Sequence, residues 1–324
     1  MPIEHQIGTV NLPSAWGRAQ MKLHQLRDVL AVAETGSLRA AGRRMGLTQP
    51  TISRSIRDIE HELGAPLFER HGNGTRLTSI GEAFVRRAKI VQSELRRAAD
   101  EVEQLKGEFV GQVAVSMSPG STIALMPSIL RNFRKKHPKI VLKISEGVYE
   151  QVEADLLSGD IDFFIGPVDQ DVQVLPTHVE KLFNNQRVVV ARKGHPLGNA
   201  TTFADLAGAE WIKPTFATRS GEADLDAMFE HAGMPAPNIV LHTRSALMTL
   251  LAVESTDLLT ILPVQWLEIS ATSEGVQPLW LSDNLYSAPI CVVRRIDVPL
   301  TPAAESLWSL TVRAGLNYKP IWKA

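Results

Sequence analysis

The 324-residue chain contains one cysteine, Cys291. An internal disulfide framework is therefore excluded, which fits a reducing cytoplasm. Aromatic residues make up 6 % of the chain, and no apolar run approaches the length of a membrane span. The first residues lack the basic stretch followed by an apolar stretch that marks a secretory signal. These absences imply a cytoplasmic chain with no membrane partner. Catalytic signatures are missing too. The nine histidines are scattered, with no HExxH and no paired spacing, so no metal is expected. There is no GxSxG elbow, no P-loop and no GxGxxG after a strand, so neither enzyme nor cofactor is expected. His195 falls in a turn, where a polar surface role is ordinary. Cys291 falls on an expected buried strand and reads as an inert core thiol.

A local absence carries more. Between Leu38 and Arg57 there are five arginines (Arg39, Arg43, Arg44, Arg54 and Arg57) and no Asp or Glu. The same stretch reads as two short helices joined by a tight turn. Ser37 is a good N-cap. Leu38, Ala41 and Met45 share one helical face, and Gly46 stands where a helix ends in a left-handed residue. Thr48 can cap the next helix, with Pro50 in its first turn. Ile52, Ile56, Ile59 and Leu63 give that helix an apolar face, and Gln49, Thr51, Ser53, Arg54 and Arg57 lie opposite. A helix-turn-helix puts the start of its second helix in the major groove. There Gln pairs with adenine and Arg with guanine, while Ser, Thr and other Arg side chains hold phosphates. An ordinary helical hairpin with a basic solvated face is the plainer reading.

The run from Ala40 to Arg70 (A-A-G-R-R-M-G-L-T-Q-P-T-I-S-R-S-I-R-D-I-E-H-E-L-G-A-P-L-F-E-R), continued by R-L-T-S-I-G-E-A-F from Arg76 to Phe84, resembles the winged helix-turn-helix of the LysR-type transcriptional regulators. The resemblance covers nearly all of the chain from Met21 onward. It implies a double-stranded DNA partner. It also implies that Gln49, Pro50, Ser53 and Arg54 approach bases and nearby phosphates, and that Arg70 and Arg76 of the wing approach the minor groove or backbone. Charge agrees: residues 21–97 hold 14 Lys+Arg and 8 Asp+Glu, a net +6 in a chain of net -1, so the rest carries -7.

Taken in order, 1–20 reads as a disordered arm and 21–78 as the DNA-binding domain. Leu23, Leu26, Val29, Leu30 and Ala33 face inward from a first helix. Two short strands around Gly72-Asn73-Gly74 form a wing. From 79 to 106 runs one long helix, with Phe84, Ala88, Val91, Leu95, Ala98, Val102 and Leu105 at alternating spacings of four and three. That is a heptad seam and implies self-association. The family uses this helix to dimerise, and a homodimer or homotetramer presents two recognition helices to two half-sites.

Residues 107–324 alternate strands and helices, as parallel α/β domains do. The resemblance implies a two-lobed effector domain like the periplasmic binding proteins, with lobe I at about 113–183 and 289–324 and lobe II at about 185–287. Ligands of doubly wound sheets sit at the carboxyl ends of strands, against helix N-termini. Ser118, Gly120, Ser121 and Thr122 open a helix and suit an anion, although they also read as a simple N-cap; the resemblance favours ligand. Thr215, Phe216, Thr218 and Arg219 precede another helix. There Phe216 offers an aromatic face and Arg219 a bidentate anion partner, unless it is a surface arginine. Ser245 and Ala246 open a third helix, and Pro167 and Pro263 end strands at the cleft wall. The expected effector is a small organic acid, with Phe216 pointing to an aromatic one; an uncharged ligand or a redox signal is the alternative. An activator would also engage RNA polymerase. A solute-binding module with an incidental helix-turn-helix and an α/β enzyme using the cleft are the competing classes.

Overall fold

A computed structural model describes residues 21–320 except 73, 170–175, 215–224, 270–273, 283–284 and 286; the side chains of Arg70 and His231 are also outside the description. The chain divides into two compact units, Met1–Arg96 and Arg97–Ala324.

In the first unit, α1 (Leu23–Thr35), α2 (Leu38–Met45) and α3 (Gln49–Leu63) end in Gly36, Gly46 and Gly64, each left-handed. Val29, Val32, Ala41, Ile52, Ile56 and Ile59 form their shared core. Leu23 and Leu63, expected on the apolar faces, are exposed. They are the first residue of α1 and the last of α3, so they project beyond the core. Strands β1 (Phe68–His71) and β2 (Gly74–Leu77) make the antiparallel wing. Glu60 fastens its base: Oε1 accepts from the amides of Leu67 at 2.8 Å and Phe68 at 3.1 Å. The long helix α4 (Ser79–Leu105) starts against it. A Cβ on Gly81 would lie 2.0 Å from the Leu67 carbonyl oxygen, so no other residue fits this close approach.

In the second unit, lobe I is a five-stranded sheet in the order β4-β3-β5-β12-β6, formed by β3 (Gln112–Met117), β4 (Val141–Glu146), β5 (Phe163–Pro167), β6 (Thr177–Phe183) and β12 (Ile290–Arg295). Alternate residues of β12 serve two cores. Ile290 and Val292 pack with Val115, Phe163 and Trp308, while Cys291 and Val293 pack with Tyr149 and Phe164 on the other face. Helices α5 (Pro119–Lys136), α6 (Tyr149–Ser158) and the C-terminal Pro302–Leu316 flank the sheet.

Lobe II centres on β7 (Arg187–Arg192), paired with β10 (Thr260–Pro263) and β11 (Val276–Leu279); β8 (Glu210–Pro214) pairs with β9 (Asn238–Thr243). Its helices are α7 (Leu225–His231) and α8 (Ala246–Ser255); the C-terminal helix is therefore α9.

The parallel pairing implied by the alternation holds for part of each lobe. β3 runs parallel to β4 and β5, and β8 to β9, but β12 and β7 are antiparallel to their neighbours. These are the strands that cross between lobes, and each enters its sheet from the far end. Strands β6 and β11 were not foreseen. β11 contains Pro278, which tolerates only an edge position; β11 is an edge strand.

Candidate nucleic-acid interface and effector cleft

Two caps set the helix-turn-helix. Ser37 Oγ accepts from the Ala40 amide at 3.4 Å, and Thr48 Oγ1 accepts from the Thr51 amide at 3.3 Å. Thr48 and Thr51 also share a hydroxyl contact of 2.8 Å. The first turns of α3 are then bare: Gln49, Pro50, Thr51 and Arg57 are exposed, Ser53 is half-buried, and the Arg54 side chain is 83 % exposed. Among the described residues Arg54 pairs with Asp58 at 4.0 Å, and Arg57 Nε donates to the Ser53 carbonyl at 3.2 Å. Arg39 and Arg76 are exposed as well. Arg44 pairs with Glu34, which takes one charge out of the basic face. Ser37, expected at the DNA, is engaged in capping α2. Arg70 stands on β1 opposite Thr75.

On α4 the heptad seam splits. Phe84 and Ala88 pack into the head's own core, which corrects their assignment to a dimer seam. Val91, Leu95, Ala98, Val102 and Leu105 are exposed, with Leu95 at 46 % and Leu105 at 72 %. From Arg97 onward the polar residues are the buried ones. Arg97 pairs with Asp162 at 3.0 Å and donates to the carbonyls of Gly159 and Ile161. Asp162 also accepts from the Ala114 amide at 2.8 Å. Gln104 accepts from the Ala303 amide at 2.9 Å and donates to the Val110 carbonyl. Sequence reasoning missed both, because polar residues off the seam look like a solvated face.

At the carboxyl edge of the lobe I sheet, Ser118 caps α5. Its Oγ meets Ser121 Oγ at 2.8 Å, and Thr122 Oγ1 donates to the Ser118 carbonyl at 3.0 Å. These hydroxyls are thus engaged locally, at the N-terminus of α5, where the helix dipole has its positive end. Pro167 ends β5 beside it, where the Ser118 amide donates to the Ile165 carbonyl at 2.8 Å. Lobe II closes on this point: a Cβ on Gly120 would meet Pro263 at 3.3 Å, and Ile123 packs into the lobe II core. The structure therefore joins Gly120 to Pro263. Ser245 caps α8, accepting from the Met248 amide at 3.3 Å, with Ala246 as the first helical residue. Thr215, Phe216, Thr218 and Arg219 lie outside the described residues. Two bridging residues had no sequence signal. Gln265, in a 3-10 turn after β10, lies 3.7 Å from the same Gly120 position. Tyr318, beyond α9, donates to Glu268 at 2.7 Å, and burial and this bond push its hydroxyl's pKa up. Cys291 is 0 % exposed, and burial raises its thiol to about 11.

Among the described residues no group of three or more His, Cys, Asp or Glu could hold a metal ion, and no helix is long and apolar enough to cross a membrane. The model of the bacterial regulatory helix-turn-helix proteins of the lysR family matches residues 23–82. The LysR substrate binding domain model matches residues 106–315, more than half of the chain. The regulator GbpR of Azospirillum brasilense is 25 % identical over 298 residues, covering 91 % of this chain and 87 % of that one. The regulator TdcA of Escherichia coli is 28 % identical over 233 residues, covering 72 % and 74 %. Among solved structures, full-length CbnR with its target DNA has a TM-score of 0.69 at 22 % identity, covering 91 % of this chain and 100 % of that one. Full-length OxyR from Pseudomonas aeruginosa has a TM-score of 0.66 at 19 % identity, covering 93 % and 96 %. These structural likenesses show the fold, and the family models carry the assignment: with its helix-turn-helix head and two-lobed effector-binding domain, the chain is a DNA-binding transcriptional regulator, not an enzyme, and belongs to the LysR-type family.

Proposed function

We propose that the protein is a cytoplasmic, homo-oligomeric regulator that reads DNA sequence through α3 and is switched by a small organic acid held at the α5 N-terminus between the lobes. Gln49 and Arg54 read base edges. Thr48, Thr51, Ser53, Arg39 and Arg57 hold phosphates, and Arg70 and Arg76 reach the backbone or minor groove from the wing. The observation that carries this reading is the bare first face of α3, where Arg54 is 83 % exposed in a stretch without a single acidic residue from Leu38 to Arg57. The exposed stripe from Val91 to Leu105, on a helix whose polar side is the buried one, supports pairing of two copies along α4. Effector binding shifts the packing of subunits, and hence the spacing of the heads, by favouring one lobe arrangement over the other. If it activates transcription, the protein engages RNA polymerase from this DNA-bound state. A thiol buried to 0 % exposure favours a bound ligand over redox sensing through Cys291.

The test is binding of a DNA site selected from random sequence by the full-length protein. Arg54→Ala is expected to bind that site at least tenfold more weakly and to lose preference at one base position. Equal binding by mutant and wild type at physiological salt excludes Arg54 from the mechanism.

A further inference from the structure

Two crossover segments join the lobes, and a cavity of about 770 Å³ opens where they meet the elements they connect. The bridging residues Gln265 and Tyr318 line it, but none of the effector residues expected from the sequence does. Its wall is mixed, with more polar than apolar surface: aromatic faces come from Phe183, Trp280 and Tyr318, aliphatic ones from Val264, Leu279 and Leu285, and polar groups lie between them. A cavity of this size at the junction of two lobes, with aromatic faces and fixed polar groups, has the dimensions of a small-molecule site.

The polar groups define what fits. Asn185, on the first crossover, is 7 % exposed; its Nδ2 donates to Ser287 Oγ, on the second crossover, at 2.6 Å. Arg187 Nε donates to the same oxygen at 3.2 Å. Among the described residues the Asn185 amide oxygen has no hydrogen-bond partner. Gln265, 1 % exposed, likewise keeps an amide oxygen without one. Both unmet groups are acceptors, so a hydrogen-bond donor completes the wall. Two acceptor oxygens disfavour an anion there, and the Arg187 guanidinium disfavours a cation.

We propose that this hinge cavity is a second ligand site, distinct from the effector cleft, that takes an uncharged single-ring aromatic molecule bearing two hydrogen-bond donors. Its occupant engages Asn185 on one crossover and Gln265 in lobe II, beside the Ser287 of the other crossover. It therefore fixes the angle between lobes. Because Gln265 also lies against Gly120 of the α5 N-terminus, the two sites are coupled, and each changes the other's affinity by the same factor.

The test is titration calorimetry on the full-length protein with resorcinol, and with 1,3-dimethoxybenzene as the same ring without donors. Resorcinol is expected to bind with a Kd on the order of 1 mM or tighter, a reasonable limit for so few atoms. Dimethoxybenzene is expected to bind at least tenfold more weakly. Asn185→Leu, which removes an acceptor, and Ser282→Trp, which fills the cavity from an exposed rim position, should each weaken resorcinol at least tenfold. Thr122→Ala, in the effector cleft, should leave it unchanged. Ser282→Trp keeps the test decisive if Asn185→Leu does not fold. Absent resorcinol binding, equal binding of both compounds, indifference to Ser282→Trp, or equal loss in Thr122→Ala would each overturn the proposal.

Discussion

Single side chains of the head divide their work by what surrounds them. Arg54 is bare and can reach a base, whereas Arg76 on the wing is an exposed cation suited to phosphate. Replacing Arg76 by Ala should therefore weaken binding to all sequences alike and reduce the slope of log affinity against log salt by about one; a change of base preference would place Arg76 at a base instead. Asp162 is different in kind. It is buried between Arg97 and the Ala114 amide, so Asp162→Asn removes the carboxylate that pairs with a buried guanidinium. Unfolding in urea should show a loss of about 3 kcal/mol or more. Cys291 gives a pH signature. Its thiol, at about 11 in the folded chain, is held above the ordinary value of 9.0 by burial, so the folded state keeps a proton that the unfolded state releases between those two values. Stability must then fall as pH rises through that window, and Cys291→Ala should flatten this part of the curve. At pH 8 the native thiol should resist alkylating agents that label the unfolded chain.

Elements were legible where the apolar period is regular and both ends are marked. α2 and α3 follow from Ser37, Gly46, Thr48 and Pro50, because caps act through local backbone geometry. The wing follows less fully. Its hairpin is visible in the sequence, but Glu60, which holds it to α3 through two amides, is not. Glu60→Ala should loosen the wing at a cost of about 1–3 kcal/mol for the unmet amides, read as faster amide exchange at Leu67 and Phe68 than elsewhere in the head. For α4 the heptad count overreached at its start. Phe84 and Ala88 obey the spacing yet pack into their own domain, since periodicity defines a face and not what covers it. The exposed remainder predicts that Leu95→Lys shifts the protein toward monomer in analytical ultracentrifugation and weakens DNA binding. A fully dimeric Leu95→Lys protein would remove the seam from the argument.

Over the whole molecule, the lobes meet at Gly120 and Pro263, so the cleft has little room to spare at its inner end. A ligand that binds only the folded chain at a hundredfold excess over Kd stabilises it by about 2.7 kcal/mol. A screen of small carboxylates and sulfonates should find one that raises the melting temperature, and Gly120→Leu, which wedges Pro263 away, should abolish that rise; a rise untouched by Gly120→Leu would move the acid elsewhere. The DNA-binding head, the long helix and the alternation of the second unit were determined by the sequence itself, because caps, apolar periods and a charge run free of carboxylates are local and survive without a fold. The antiparallel crossings of β7 and β12, the buried Arg97–Asp162 pair, the Gly120–Pro263 contact and the hinge cavity with its unmet Asn185 and Gln265 oxygens were decided only by tertiary structure. Each joins residues far apart in the chain, where no local pattern records which partner a side chain will meet.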